Sequence, residues 1–387
     1  MPPPAITTPL NAAAAAPPWQ PGPGRLLLVT RHYPPAMDGV AHHSEHLQHH
    51  LQTLGWQVQV YTPEKLDDPN TGLWHSQPWG RAAAPVLVQL VQQQQITHLW
   101  WQYVPTRYQT KGLPLWWPTV VQKLAKTGVH QSIYFHEVGL RPSGAGLKEA
   151  AIARAQHAIA RQAARQANHL FSSISLYAGY LQPWPVTLVP AGANILPAAN
   201  LDAATPGTPH TYFCFTNRLQ PPLVKAIAQL PCTLVVAGRG SPAQQAQVLR
   251  WQAQLPPGKL QYHGPLPHTA LSHLLYQCQG LLQPEPVNDN GQGGASAKNG
   301  TIAAAWAHGL PVLTHQADMT EPQWFIAGLT ADFVPHDQTE AWRLALLHWL
   351  SQPAESWQQR RRQVQQWYHQ HLSWPVLAQT IHQALLK

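Results

Sequence analysis

From Arg25 onward, short apolar runs alternate with stretches whose apolar residues recur at helical spacing. Residues 26–30 are almost continuously apolar, as a parallel strand covered on both faces must be. A helix is predicted over 40–54, ended by Gly55. Further strands are predicted at 57–61, 98–103, 132–136, 169–173 and 187–190, with a long Ala/Arg helix between 148 and 168. Residues 192–209 carry Pro, Gly, Asn and Asp without periodicity and read as a linker. The alternation then restarts, with strands at 212–215, 233–237, 260–263, 280–282 and 311–314. Two closing helices are expected at 340–350 and 355–386.

This is the pattern of two doubly wound, Rossmann-like α/β halves, 25–191 and 210–350. The segment 351–387 reads as a C-terminal helix that packs back toward the first half. Residues 1–24 read as a disordered Pro/Ala-rich lead, because their alanine run has no basic head and prolines follow at once. A ligand is expected in the cleft facing the carboxyl ends of both sheets.

Composition narrows the setting. Only 10% of the 387 residues are charged, against about 25% in ordinary domains, yet 44% are hydrophobic and 17 are Trp. That excludes a disordered chain. Three cysteines are too few and too scattered for a disulfide framework or a zinc site, so a reducing, cytoplasmic setting is expected. No run approaches the ~18 apolar residues of a membrane span. The excess of 24 Lys+Arg over 16 Asp+Glu raises the question of an anionic partner. No nucleic-acid module or aromatic–basic interleaving is visible, so nucleic acid is not expected. Lys148, Arg154, Arg161 and Arg165 fall near one helix face. Without bulky apolar anchors this reads as a solvated face, with a peripheral contact to the inner face of a membrane as the other reading. Arg360–Arg362 reads as surface. Dinucleotide, Walker and nucleophile-elbow motifs are missing, so dehydrogenase, kinase and hydrolase readings lack support.

Several segments carry candidate chemistry. The loop Tyr33-Pro34-Pro35-Ala36-Met37-Asp38-Gly39-Val40 ends a strand and starts a helix, which aims backbone N–H groups at the cleft. The helix after it carries His42, His43, His46, His49 and His50, read as a solvated face. Tyr134-Phe135-His136-Glu137 puts a His and an acid at a strand's carboxyl end. The loop 291–300 is glycine-rich and runs into a helix from about Thr301.

In order along the chain, LLLVTRHYPPAMDGVAHHSEHLQHHLQTLGWQVQVYTP, WQYVPTRYQTKGLPLWW, QSIYFHEVG, VPAGANI, VVAGRG, YHGPLPHTALSHLLYQCQGLLQP and GASAKNGTIAAAWAHGLPVLT resemble the family 4 glycosyltransferases of the GT-B fold. The resemblance spans roughly residues 25–350. It implies a transferase, hexosyltransferase-like and placed in polysaccharide biosynthesis, that takes a nucleotide-diphospho sugar and a glycan, lipid-linked or small-molecule acceptor, with retention of configuration. It implies that His136 and Glu137 orient the sugar and that Asp38, Gly39 and His43 form the acceptor side. Donor-site candidates are Arg218, Lys225, Arg239, Gly294, Ala295, Ser296, Lys298, Gly300 and Thr301. No Asp-x-Asp pair is present, so cations and a helix N-terminus, with no metal and no cofactor, are expected to meet the diphosphate charge. Many relatives carry two glutamates before the Gly-x-Pro-Val turn; Ser296 and Ala304 stand there instead, so the chain is similar to the subset lacking that pair. Glu285 and Asp289 are the acids left nearby. Loss of the pair and the low acid count keep open a binding or scaffold subunit without transfer; a nucleotide-sugar epimerase on the same fold is the other alternative, disfavoured by the few acids because it needs acid and base groups flanking the sugar.

Overall fold

In the computed structural model, residues 22–36, 38–64, 73–141, 146–199, 208–335 and 337–387 are described. Residues 1–21 of the expected lead and 200–207 of the expected linker lie outside the described residues, as does Met37 of the first loop. The first half runs β1 (Arg25–Val29), α1 (Gly39–Thr53), β2 (Gln57–Tyr61), β3 (Leu73–Trp74), α2 (Ala83–Gln93), β4 (His98–Tyr103), α3 (Pro105–Tyr108), α4 (Trp117–Ala125), β5 (His130–Phe135), α5 (Leu147–Ala164), β6 (His169–Ser172), α6 (Ser175–Tyr180) and β7 (Thr187–Leu188). The second runs β8 (Thr211–Phe215), α7 (Pro221–Ala228), β9 (Thr233–Ala237), α8 (Pro242–Gln254), β10 (Leu260–Gly264), α9 (His268–Gln277), β11 (Gly280–Gln283), α10 (Gly300–Ala307), β12 (Val312–Thr314) and β13 (Ala331–Phe333). Three helices close the chain: α11 (Thr339–Leu350), α12 (Ala354–His371) and α13 (Trp374–Leu385).

Both sheets are parallel, in the orders β3-β2-β1-β4-β5-β6-β7 and β10-β9-β8-β11-β12-β13. Strand alternation sorts the core. Leu26, Leu28, Trp100 and Tyr134 pack on one face with Leu47 and Leu51 of α1, while Leu27, Val29, Trp101 and Ile133 point to the opposite face with Leu87, Val121 and Ile159. The order reverses between β1 and β4, and again between β8 and β11. At such switch points the loops leave the sheet in opposite directions and open a crevice.

Three expectations are corrected. The final helix is two helices, α12 and α13, parted at Leu372–Ser373. A single apolar stripe ran through the break in the sequence because Tyr368, Leu372, Trp374 and Leu377 are all buried on either side of it. The histidines of α1 are no solvated face: His43 is 5% exposed, and rings of His43, His46 and His50 lie against Trp374 of α13. Nor is the triple arginine mere surface. Arg360 bonds Leu329 O and Asp332 between the rings of Trp349 and Trp357, and Arg361 bonds Tyr276 O. By contrast, Lys148, Arg154 and Arg161 are exposed on α5 and Arg165 just past it, while Ala150, Ala153, Ala160, Ala163 and Ala164 face the protein. All three cysteines are buried and unpaired. Among the described residues no helix is long and apolar enough to cross a membrane.

Candidate functional site

A cleft of about 710 Å³ opens at the carboxyl ends of both sheets, at the two switch points. Its first-half wall is built by the loops after β1, β4 and β5, and its second-half wall by those after β8 and β11 and the start of α10. Burial of the strands fixes these loops from beneath, which is why residues remote in sequence meet here.

On the first-half wall, Asp38 caps α1, its carboxylate accepting from Val40 N at 2.8 Å and pairing with Arg107 at 2.5 Å. One of the N–H groups expected to face the cleft is therefore already taken. Gly39 has open space where a Cβ would stand. His136 is the first residue past β5, and Glu137 beside it also lines the cleft. His136 Nε2 lies 2.6 Å from Gln102 Oε1, and Gln102 Nε2 lies 3.1 Å from His43 Nδ1. Burial pushes the His136 imidazole down to about 3, with Asp38 partly opposing. Burial, reinforced by His136 and His46, holds His43 well below the ordinary value. Both rings are thus neutral at neutral pH.

On the facing wall, Arg218 pairs with Glu285 at 3.1 Å, and Glu285 also accepts from Gln283 at 3.0 Å and Asn299 at 2.8 Å. Glu285 is thereby a scaffold for a cation and for the residue that caps α10. Lys298 Nζ donates to Tyr177 OH of the first half at 3.0 Å. Ser296, Gly300 and Thr301 line the same wall, Thr301 N–H being held by Asn299 at 3.0 Å.

The glycine-rich loop does something other than expected. Gly294 N–H is donated to Pro286 O and Ala295 N–H to His315 O, each at 2.9 Å, so neither is offered to a ligand. A Cβ on Gly293 would stand 2.0 Å from Pro286 O, and one on Gly294 2.5 Å from Ala317 N. Both residues also hold positive φ, 117° and 75°. These glycines serve close packing of their own loop. Ala295 is fully buried and does not line the cleft. Three other candidates are corrected as well. Lys225 is exposed on α7, whose neighbours Leu223, Val224, Ala226 and Ile227 take the buried face. Arg239 is exposed after β9, beside His42 and His268, and lines no part of the cleft. Asp289 is exposed and does not itself line the cleft.

Residues not foreseen complete the site. Arg141 pairs with Asp318 across the cleft, and Asp318 also accepts from Gly293 N at 2.9 Å. Glu321 of the second half accepts from Ser175 N at the start of α6 at 2.8 Å. Trp374 lines the cleft from α13 and donates to Ala193 O at 2.9 Å. These pairs join positions 121 to 181 residues apart, which no local spacing reveals. Gln102 did leave a signal, the single amide inside the apolar strand His98–Tyr103. Among the described residues no group of three or more His, Cys, Asp or Glu is placed to hold a metal ion.

No family model matches the chain, and no curated protein matches it in sequence. Solved structures do match. A glycosyltransferase from Rickettsia africae superposes with a TM-score of 0.67 at 12% identity, over 94% of this chain and 99% of that one. The sucrose-phosphate synthase from Thermosynechococcus elongatus does so at 0.64 and 16%, over 93% and 98%. The UDP-GlcNAc 2-epimerase from Neisseria meningitidis, bound to UDP-GlcNAc, gives 0.59 and 12%, over 94% and 99%. The fold is GT-B.

Proposed function

With a GT-B fold as its frame, we propose that this chain is a metal-independent, retaining glycosyltransferase similar to family 4, moving a sugar from a nucleotide-diphospho sugar to a glycan, lipid-linked or small-molecule acceptor. Residues 25–191 take the acceptor and 210–350 the donor. One observation carries the reading: the two walls differ in charge. Arg218, Lys298 and the N-terminus of α10 gather cationic character on the second-half wall; on the first, Arg107 and Arg141 are each paired with an aspartate, Glu137 is an acid, and the His136 and His43 rings are neutral. A diphosphate belongs against the former and the uncharged sugar against the latter.

In this reading the bond from the anomeric carbon to the diphosphate oxygen breaks, and the acceptor oxygen bonds on the same face of the ring. The acceptor's proton passes to the departing phosphate oxygen. Arg218 and Lys298 stabilise the charge developing on the diphosphate, and fixed cations aimed at developing charge are the strongest help such a site can give the reaction. Lys298 must exchange Tyr177 OH for phosphate to do so. Glu285 keeps Arg218 extended toward the cleft, and Glu137 stands beside the sugar's reacting end.

Thermal unfolding with a panel of nucleotide sugars tests the donor site. A donor at a hundredfold excess over its Kd stabilises the chain by about 2.7 kcal/mol. Lys298→Ala is expected to lose most of that gain, while Tyr177→Phe, which removes only the resting partner, keeps it. If no donor raises the midpoint, or Lys298→Ala responds as the unsubstituted chain does, the donor assignment fails. The likeness to an epimerase gives a second reading its one support. Conversion of the donor sugar to an epimer without transfer or release of nucleoside diphosphate would establish it. Donor binding with neither conversion nor release would mark a binding subunit.

A further inference from the structure

Gln102 sits at the end of β4 with 1% of its surface exposed, between two imidazoles that line the cleft. A primary amide has two unlike ends, an oxygen that only accepts and a nitrogen that only donates. A neutral imidazole likewise has one N–H and one lone pair. An amide that bonds two neutral imidazoles therefore dictates which nitrogen of each ring carries the proton. Its oxygen, 2.6 Å from His136 Nε2, requires a proton there. Its nitrogen, 3.1 Å from His43 Nδ1, requires a lone pair there. By elimination His136 Nδ1 is a lone pair and His43 Nε2 is an N–H. A second observation marks this arrangement as incomplete in the protein alone. His43 Nε2 is buried and has no hydrogen-bond partner among the described residues. An unmet buried donor costs about 1–3 kcal/mol, and the fold retains one at the cleft wall.

We propose that Gln102 is a positioning residue that fixes the tautomers of His136 and His43, so that the first-half wall presents one acceptor and one donor, suited to the hydroxyls of a sugar. This rests on the glycosyl-transfer reading for the identity of the ligand, but not for the tautomers. The amide oxygen and nitrogen cannot be exchanged without reversing the polarity of both rings, so the site recognises hydroxyl geometry with no net charge. The other groups facing the pair are Asp38, His46 and Tyr134, with the Trp374 ring closing the far side of His43.

Long-range proton–nitrogen correlation spectra of the full chain labelled with ¹⁵N report each histidine's tautomer, the peaks being assigned with His136→Gln and His43→Gln. The unsubstituted chain is expected to show His136 protonated at Nε2 and His43 also at Nε2. Gln102→Leu should give both rings mixed tautomers. Gln102→Glu, whose carboxylate only accepts, should turn His43 to the Nδ1–H form and serves if the leucine variant does not fold. In binding, Gln102→Leu should lower affinity for UDP-glucose, UDP-N-acetylglucosamine or GDP-mannose, whichever the chain takes, about tenfold. Affinity for the matching nucleoside diphosphate should change less than twofold. His136 protonated at Nδ1 in the unsubstituted chain, or spectra unmoved by both substitutions, overturns the proposal. An equal loss of affinity for sugar nucleotide and diphosphate also overturns it. If none of the three donors binds the unsubstituted chain, it is the glycosyl-transfer reading that falls, and the tautomers alone then decide the role of Gln102.

Discussion

At the scale of single residues, close approach sets the sharpest demands. Gly192 faces the Trp374 ring so nearly that an added Cβ would lie 2.4 Å from it. Overpacking a filled contact costs about 1–3 kcal/mol. Gly192→Ala is therefore expected to lower stability by that amount in chemical denaturation, and the double variant with Trp374→Ala to lose less than the sum of the two single losses. Additive losses would show that the two do not meet. Gly294→Ala combines positive φ with a backbone collision and should be worse than Gly291→Ala, where a Cβ meets open space. Lys298 and Arg218 gain their meaning from partners rather than from exposure, which is why Lys225, a freer lysine on paper, ends outside the cleft.

At the scale of elements, the C-terminal helices show how much the sequence told and what it withheld. Strands at 57–61, 98–103 and 233–237 emerge at the bounds their apolar runs predict. The edge strands β3 and β13, two and three residues long, have no run of their own and are defined by a neighbour's ladder. The position of the strand-end candidates was equally legible: His136, Glu137, Asp38 and Glu285 lie where a parallel sheet puts its carboxyl ends. The glycine-rich loop misled because glycine that admits a phosphate and glycine that admits a neighbouring carbonyl have one and the same sequence signature. Element docking also carries a prediction. Arg360 of α12 is held by Leu329 O, Asp332 and two Trp rings. Arg360→Ala leaves Asp332 with one partner fewer and should cost roughly 2–4 kcal/mol. Arg362→Ala, two positions on and exposed, should cost under about 0.5 kcal/mol. Equal denaturation midpoints for the two variants would contradict the docking role.

At the scale of the whole molecule, histidine takes the place of charge. Burial, with neighbouring imidazoles adding to it, pushes His46 and His98 down to about 4. His136 falls to about 3 and His308 to about 4, burial again being the main cause. The unfolded chain binds these protons near the ordinary value of about 6.5, so unfolding takes up protons in the window below it. Stability is therefore full above about pH 7. It falls as pH drops from 6.5 toward 4, by up to about 1.4 kcal/mol per buried histidine per pH unit. Thermal midpoints between pH 7.5 and 4.5 should descend steeply, and a flat profile would refute the account.

The chain passes between its halves twice, once near 191–194 and again where α12, packed on α10, gives way to α13, packed on α1. Those two crossings touch, since Trp374 bonds Ala193 O and presses on Gly192. Two ropes tied at one point make a fulcrum. At that point the halves are also joined backbone to backbone: Ala191 N bonds Ala297 O at 2.8 Å and Asn194 N bonds Gly300 O at 3.4 Å. Farther along the cleft the halves meet through carboxylates, Asp318 on Arg141 and Glu321 on Ser175 N, with no backbone-to-backbone bond in either pair. Lys298 follows Ala297 directly, so its bond to Tyr177 OH crosses between the halves beside that point.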